Sequence, residues 1–324
     1  MIAILNLFKM KPTLDIFLFH GVFKDRREMA CHHADPQQEM TLEHYRRFIE
    51  FQLRLGSRFV SPEEIIRGLN TPKRHLLLTF DDGYFNNAHI VPLLKEYQVP
   101  ALFFISPSYV LQNKNFWWDV LYRERTRQGF SKKKIYAEGK LLKQKTHEEI
   151  EIYLHNSFGK ACMRPRSDTD RPFRPEELKI FAQEKWVTIG NHTRDHAILT
   201  HYPFAAAKAQ ILEAQKMLLE MTGKNPLCFS YPNGNYSEPI VTFLKEAGFK
   251  LGLICRFGSN RLPINFEGTD CLKLNRFGFS GSRHLLRQSE LFRLGVSPHA
   301  MIQNLKGWLR RRPLFRKNPE HRGL

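Results

Sequence analysis

Two adjacent carboxylates and, 110 positions later, a pair of histidines are the residues of this 324-residue chain whose types and spacing could do chemistry. Asp81 and Asp82 directly follow the apolar run His75–Phe80, and two carboxylates at a buried strand end are costly unless a cation or a proton compensates them. His192 and His196 have the His-x-x-x-His spacing, which places two imidazoles on one face of a helical turn, as one divalent ion requires. Taken alone, the two aspartates could instead form a turn and a helix N-cap. The two histidines could instead be solvated or lie in the core.

Together, the two patterns have the composition of a catalytic metal site. Asp82, His192 and His196 would supply one carboxylate and two imidazoles, which leaves coordination positions open for water and substrate. Asp81 would then remain as a base beside the metal.

Two further candidates follow predicted strands, and in parallel α/β folds ligands bind at the carboxyl ends of strands. His20 follows the apolar run Asp15–Phe19, and an imidazole there could act as a general acid or base near neutral pH. The segment Ser230–Gly234 (SYPNG) follows another apolar run, and its Pro and Gly shape a tight loop whose backbone N–H groups could face a ligand. A core histidine and an ordinary turn are the alternative interpretations.

The elements that must position these residues are short apolar runs alternating with helical patterns. Continuous apolar strands are buried on both faces and predict a parallel sheet covered by helices. About seven such units favour an α/β barrel, closed or nearly closed, over an open doubly wound sheet. The predicted strands are Asp15–Val22, His75–Phe80, Pro100–Ser106, Trp186–Gly190, Leu227–Tyr231, Lys250–Cys255 and Cys271–Phe277. The main predicted helices are Leu42–Leu55, Phe85–Tyr97, Glu176–Lys185, Phe204–Met221 and Glu238–Ala247.

Two stretches of the chain depart from this alternation of strands and helices. Residues 107–175 contain the aromatic run Phe116–Trp118 and a basic segment, and we interpret them as a mostly helical insertion or lid. Residues 282–324 are interpreted as a basic C-terminal helix and tail. The sequence therefore predicts a barrel over residues 1–281, including the insertion, and a tail over 282–324.

The formal net charge is +18, because 50 Lys and Arg residues outnumber 32 Asp and Glu residues. Residues 123–145 contain nine basic and two acidic residues, and residues 306–324 contain seven basic residues and one acidic residue. Such charge favours an anionic partner: nucleic acid, an acidic membrane face or an anionic substrate. Solvated basic faces also explain it.

Five widely spaced cysteines without a CxxC pair disfavour both a disulfide framework and a thiolate zinc site. The first residues, MIAILNLFKMK, lack the basic start and the cleavage site of a signal peptide. No apolar run approaches the ~18 residues of a membrane span. We therefore expect a cytoplasmic protein, either free or held at the inner membrane face by its basic tail.

Three segments in order carry a family resemblance: Thr79–Gly83 (TFDDG), His192–His196 (HTRDH) and Tyr231–Gly234 (YPNG). This combination resembles the polysaccharide deacetylase family, the NodB-homology group known as carbohydrate esterase family 4. The resemblance covers about residues 12–278 and implies a distorted (β/α)7 barrel. It also implies a metal-dependent hydrolase that removes N-acetyl groups from an amino sugar and releases acetate.

The resemblance also implies roles for individual residues. Asp81 would be the catalytic base, and Asp82, His192 and His196 would bind the metal, usually zinc. Tyr231 and Asn233 would belong to the loop whose backbone amide helps to hold the oxyanion.

The chain departs from the family pattern in two motifs. An arginine that orients the catalytic aspartate stands in the family where Ser230 stands here, and Arg276 could supply that guanidinium instead. The late Leu-x-x-His segment that provides the acid is not recognisable, and His284 and His299 are poorly placed. A subgroup with a histidine on the first strand places its acid there, which makes His20 the candidate.

We therefore expect an N-deacetylase that acts on a polysaccharide, an oligosaccharide or a lipid-linked glycan precursor, with an anionic substrate favoured by the basic segments. A deformylase or another amidase on the same fold is the first alternative. A non-catalytic barrel that binds glycan or nucleic acid is the second, and nucleic acid is the less expected partner because all four metal-site and base residues are present.

Overall fold

The computed structural model describes residues 12–69, 71 and 73–293, and its centre is a ring of parallel strands. The strands are β1 Thr13–Phe19, β2 Arg58–Phe59, β3 His75–Phe80, β4 Ala101–Ile105, β5 Val187–Asn191, β6 Cys228–Ser230, β7 Leu251–Leu253, β8 Asn260–Arg261 and β9 Phe277–Gly278. Around the ring the order is β1, β3, β4, β5, β6 and β7, all paired in parallel. The short strands β2 and β8 pair with the starts of β3 and β1.

The segment 274–278 closes this ring between β7 and β1. The amide of Leu274 donates to the carbonyl of Gly252 at 2.8 Å, and the amide of Ile254 donates to the carbonyl of Leu274 at 2.9 Å. Three positions further on, β9 begins and pairs in parallel with β1. Seven parallel strands therefore form a distorted (β/α)7 barrel, which confirms the predicted fold class and excludes the open doubly wound sheet.

Helices surround the barrel, and several begin and end where local chemistry predicts. Ser61 and Glu64 form a capping box at the start of one helix, and Gly223 ends another in the left-handed conformation at φ 72°. The helices are α1 Arg26–Ala30, α2 Leu42–Arg54, α3 Pro62–Arg67, α4 Val91–Tyr97, α5 Pro107–Gln112, α6 Trp117–Arg127, α7 Lys132–Leu142, α8 His147–Phe158, α9 Pro175–Ala182, α10 Phe204–Thr222, α11 Glu238–Glu246 and α12 Leu285–Arg293.

The side chains of β3 alternate between two apolar clusters, and the same alternation places a carboxylate of the site. Leu76, Leu78 and Phe80 belong to the cluster packed beneath the outer helices, whereas Leu77 belongs to the barrel interior. Because side chains alternate along a strand, the interior row of β3 continues through Thr79 to the residue just beyond the strand. That residue is Asp81, so the barrel itself carries this carboxylate to the carboxyl end of the strands.

Two predicted elements differ from those observed. Residues predicted as one helix from Phe85 begin instead as a 3₁₀ helix, Phe85–Ile90, and α4 starts only at Val91, next to a proline that suits a first turn. The predicted strand Cys271–Phe277 is instead a 3₁₀ helix at Asp270–Leu272 followed by β9.

The insertion is helical, as predicted, and helices α6 to α8 share an apolar cluster of their own that includes Trp117, Leu121 and Leu154. Of the predicted basic tail, α12 is described, and its Phe292 stacks on Phe277 of the barrel. The run Arg310–Arg312 lies outside the described residues, as does the N-terminal segment 1–11. Among the helices that the structure describes, none is long and apolar enough to cross a membrane.

Candidate active site

The turn after β3 carries two buried carboxylates in a backbone conformation that its neighbours enforce. The amide of Asp81 donates to the carbonyl of Phe19 at 3.0 Å and extends the ladder between β1 and β3. Asp82 has φ 81°, which is sparsely populated for residues other than glycine, and the amide of Ser106 donates to its carbonyl at 3.2 Å. Gly83 has φ 95°, and a Cβ there would lie 3.1 Å from Ile105, so this position requires glycine.

Asp81 forms a bidentate ion pair with Arg276 inside the barrel. The Nη1 and Nη2 atoms of Arg276 donate to its two oxygens at 2.7 Å and 2.9 Å, and the Ser230 hydroxyl donates to Oδ2 at 3.1 Å. Burial raises the pKa of Asp81, but the charge and hydrogen bonds of Arg276, together with the neighbouring histidines, outweigh burial and hold the pKa well below its usual range. Asp81 is therefore an ionised carboxylate with little exposure to water.

The structure places His192 and His196 in the loop after β5 and not on a helical turn, so that part of the prediction is wrong. The side chain of Asn191 accepts the amide of Thr193 at 2.9 Å, and the hydroxyl of Thr193 accepts the amide of Ala197 at 2.8 Å. These local bonds replace helical ones, and the loop turns through positive φ at Thr193 and His196.

Asp82, His192 and His196 nevertheless bring three ligand atoms together. The Nε2 atoms of His192 and His196 lie 3.6 Å and 3.4 Å from Oδ1 of Asp82, and the three ligand atoms all lie within 4.8 Å of one another. Nδ1 of His192 donates to the carbonyl of Ser230 at 2.7 Å, which leaves the Nε2 lone pair facing Asp82. Burial, with a smaller contribution from His192, lowers the pKa of His196 to about 3. Neutral imidazoles beside an ionised carboxylate are the donor set that a divalent metal prefers, so these residues fit such an ion.

His20 lines the same cavity as the carboxylates, and its ring orientation is fixed from behind. Gln38 donates through Nε2 to the carbonyl of Leu18 at 2.7 Å, so its Oε1 faces Nδ1 of His20 at 3.2 Å. Nδ1 of His20 is therefore the donor in this bond, and Nε2 is left for chemistry in the cavity.

The loop after β6 places its two predicted residues differently. Tyr231 is fully buried, its hydroxyl donates to the carbonyl of Leu272 at 3.0 Å, and its amide donates to the carbonyl of Leu253 at 3.2 Å. Asn233, in contrast, lines the cavity and turns through φ 58°. Of this pair, the structure brings only Asn233 to the cavity, together with Asp81, Asp82, His192, His196 and His20.

Trp118 and Ser230 contact the site in ways that the sequence did not predict. The ring of Trp118 lies 4.7 Å from that of His196, and its indole nitrogen donates to the Tyr84 hydroxyl at 2.6 Å. Tyr84 in turn donates to Asp119 at 2.8 Å. Ser230 contacts Asp81 through its hydroxyl and His192 through its carbonyl. These contacts join residues 34 or more positions apart, so no local spacing signals them.

A family model described as polysaccharide deacetylase matches residues 68–252, which is more than half of the chain. The chain belongs to the polysaccharide deacetylase family. It is therefore a hydrolase that removes N-acetyl groups from the amino sugars of polysaccharides. The family resemblance expected from the three motifs is confirmed.

Solved structures of deacetylases share the fold of the enzyme. The deacetylase PplD of Streptococcus pyogenes, solved with acetate, has a TM-score of 0.56 at 16% identity, over 86% of this chain and 98% of that one. IcaB of Ammonifex degensii has a TM-score of 0.57 at 17% identity, over 87% and 97%. The polysaccharide deacetylase BC0361 of Bacillus cereus has a TM-score of 0.56 at 13% identity, over 86% and 69%. No curated protein sequence matches the deacetylase.

We predict that Asp82→Asn lowers the affinity of the deacetylase for zinc at least about 100-fold, because it removes a charged ligand while keeping the side-chain shape. Equilibrium dialysis against a competing chelator, with metal counted by atomic emission, measures this. His201→Ala is the control, since His201 follows the same loop but is not one of the three clustered ligands. Equal zinc affinity in Asp82→Asn and the wild type would exclude the three-residue metal site.

We also predict that Arg276→Gln destabilises the deacetylase by about 3–5 kcal/mol, because it leaves the carboxylate of Asp81 buried without its cation. The free energy of unfolding in urea measures the loss. Arg46→Gln removes another bidentate pair, with Glu96, that is exposed, and should cost less than about 1 kcal/mol. The double variant Arg276→Met with Asp81→Asn should recover part of the lost stability. Similar losses for Arg276→Gln and Arg46→Gln would contradict the assignment of a buried, essential pair.

Proposed function

We propose that the deacetylase is metal-dependent and hydrolyses the acetamide of an amino sugar with Asp81 as base and His20 as acid. One observation carries the proposal: the ionised Asp81 and the cluster of Asp82, His192 and His196 lie in a single cavity. The hydrogen bond from Nδ1 of His192 to the carbonyl of Ser230 leaves Nε2 of His192 as a possible metal ligand. The low pKa of His196 favours a neutral imidazole, which can also bind a metal. When bound at the cluster, a divalent ion such as zinc supplies Lewis acidity that acidifies water and polarises the amide carbonyl.

Asp81 accepts the proton of the attacking water. A carboxylate that shares its oxygens with Arg276 and Ser230 is held in one orientation, which is what proton transfer in a defined direction requires. His192 lies 3.8 Å from Asp81 through Nε2, so the base and the metal ligands are neighbours.

His20 returns a proton to the departing amine. Because Nδ1 of His20 keeps the hydrogen that it donates to Gln38, Nε2 is the nitrogen that takes up a proton to form the imidazolium and then gives it to the amine. Asn233 belongs to the loop whose backbone amide stabilises the oxyanion. We assign that part to Asn233 and not to Tyr231, because the amide of Tyr231 already donates to Leu253.

The substrate is an acetamido sugar in a polysaccharide or a shorter glycan. Attachment of that glycan to a lipid and membrane contact through the basic tail stay predictions from the charge pattern of the sequence. A cytoplasmic location stays a prediction from the first residues and the cysteines. The product separates the main alternative from this proposal, since a deformylase would release formate.

We predict that the purified enzyme with zinc releases acetate from N-acetylated oligosaccharides and that Asp81→Asn lowers this rate about 10³-fold, because the base is lost. Mass spectrometry of the products measures the rate and distinguishes acetate from formate. Glu220→Gln is the matched control, since it makes the same change at an exposed position of α10. The wild type is also assayed after removal of metal by a chelator and again after zinc is returned. Full activity without metal, or in Asp81→Asn, would contradict the mechanism.

We further predict that His20→Gln lowers kcat on acetamido sugars about 100-fold and leaves zinc affinity unchanged, because His20 acts on the leaving group and not on the metal. An aryl acetate, whose phenolate leaves without a proton, should be hydrolysed at nearly the wild-type rate. His32→Gln, in which the lost ring nitrogen bonds to Tyr122, is the control. If both substrates lose the same rate in His20→Gln, then His20 is not the acid.

A further inference from the structure

Helix α7 of the insertion spans the mouth of the barrel above the active site. At its start, Lys132 forms an ion pair with Glu39 at 2.9 Å. At its middle, the Tyr136 hydroxyl donates to Asp35 at 2.9 Å. Both acidic residues belong to the segment after β1. Near its end, Lys143 donates to Oδ1 of Asn233, in the loop after β6, at 3.2 Å. In the ring of seven strands, β1 and β6 are four strands apart in one direction and three in the other. These contacts of α7 therefore lie on nearly opposite sides of the barrel mouth.

The space beneath α7 is a cavity of about 750 Å³ that contains the catalytic residues. A volume of this size holds a ligand of a few sugar rings. Residues of α7 and of the turn after it line the cavity with helical spacing, which shows that one face of the helix points into it. Those residues are Ile135, Tyr136, Gly139, Lys140, Lys143 and Lys145.

The basic residues of the segment 123–145 divide into paired and unpaired groups. Arg123, Arg125, Arg127 and Lys132 form ion pairs with carboxylates. The lysines that line the cavity, in contrast, form no ion pair with a carboxylate of the described residues. These lysines are Lys140, Lys143 and Lys145. Of the five lysines of this segment without an ion pair among the described residues, three therefore line the cavity, and the other two are Lys133 and Lys134.

The acidic residues of the cavity do not balance these lysines. Asp81 is neutralised by Arg276, and Asp82 faces two imidazoles that a metal would join. Asp35 is a single carboxylate, and it accepts a hydrogen bond from Tyr136, one helical turn before Lys140. The lysine end of the cavity is therefore positive, and a substrate with a negative group placed there would gain Coulomb attraction.

We propose that the sugar substrate carries an anionic group, a carboxylate or a phosphate, and that Lys140, Lys143 and Lys145 bind it beside the acetamido sugar. This inference rests on the proposed function. It makes α7 a specificity element: the barrel supplies the hydrolytic groups, and the insertion selects among acetylated sugars by charge. The attraction is weakened by salt, because the three ammonium groups are exposed.

The test compares three oligosaccharides with one acetylated backbone: one with a carboxylate on the neighbouring sugar, its uncharged methyl ester, and one with a phosphate ester at the same place. With the wild-type holoenzyme we expect kcat/KM to be about tenfold higher for a charged member than for the methyl ester, mostly through KM. Raising the salt concentration should reduce the difference. The carboxylate and phosphate members show which anion the lysines prefer.

The triple variant of Lys140, Lys143 and Lys145 to Gln should bring the ratio of kcat/KM for the charged member to that for the methyl ester from about ten to about one. The ratio is compared because loss of the Lys143 bond to Asn233 affects both substrates alike. Lys133→Gln with Lys134→Gln is the matched control, since these residues lie on α7 but not among those that line the cavity. Equal kcat/KM for charged and uncharged members would overturn the anion site while leaving the deacetylase activity in place.

A binding measurement keeps the inference testable without turnover. Oligosaccharides in which a sulfonamide replaces the acetamide cannot be deacetylated, and calorimetry with the zinc-loaded full chain gives their dissociation constants. We expect the charged sulfonamide to bind about tenfold more tightly than its methyl ester and the triple variant to bind both equally. Equal affinities in the wild type would reject the anion site, whether or not any acetamide is hydrolysed.

Discussion

A bidentate ion pair with one buried guanidinium keeps the first of two adjacent carboxylates ionised inside the barrel. Burial alone would favour the protonated forms of Asp81 and Asp82. Arg276 compensates Asp81, while the two imidazoles lie on the other side, against Asp82. Because each carboxylate has its own partner, the two can serve different purposes: one to take a proton and one to hold a metal. The rest of the site is built around this division.

The strands and the residues at their ends could be predicted because both leave local signals. Continuous apolar runs marked β3, β4 and β5 to within about two residues, and the interior position of Asp81 follows from strand alternation. The conformation of the His192 loop could not be predicted, because side chains of Asn191 and Thr193 take up backbone amides that a helix would use. Ring closure also left little signal, since the closing segment has only two residues in β9.

Contacts across the barrel were the least predictable part of the site. Arg276 was a candidate partner of Asp81 only because the family arginine is missing at Ser230, and the pair spans 195 positions. Both Arg276 and His20 lie outside the residues matched by the family model. The composition of the insertion showed an excess of positive charge but not which basic side chains face the active site. Only the path of α7 across the barrel mouth shows that three lysines line the cavity, whereas Arg125 and Lys132 form ion pairs elsewhere.

Barrel closure and the electrostatics of the base depend on the same short stretch of chain. Leu274 and β9 complete the ring, and Arg276 lies between them. During synthesis, the aspartates and histidines leave the ribosome before this stretch does. A nascent chain that ends before residue 276 would therefore lack both the last strand of the barrel and the guanidinium that pairs with Asp81. The enzyme can therefore become active only after its final strand has been synthesised.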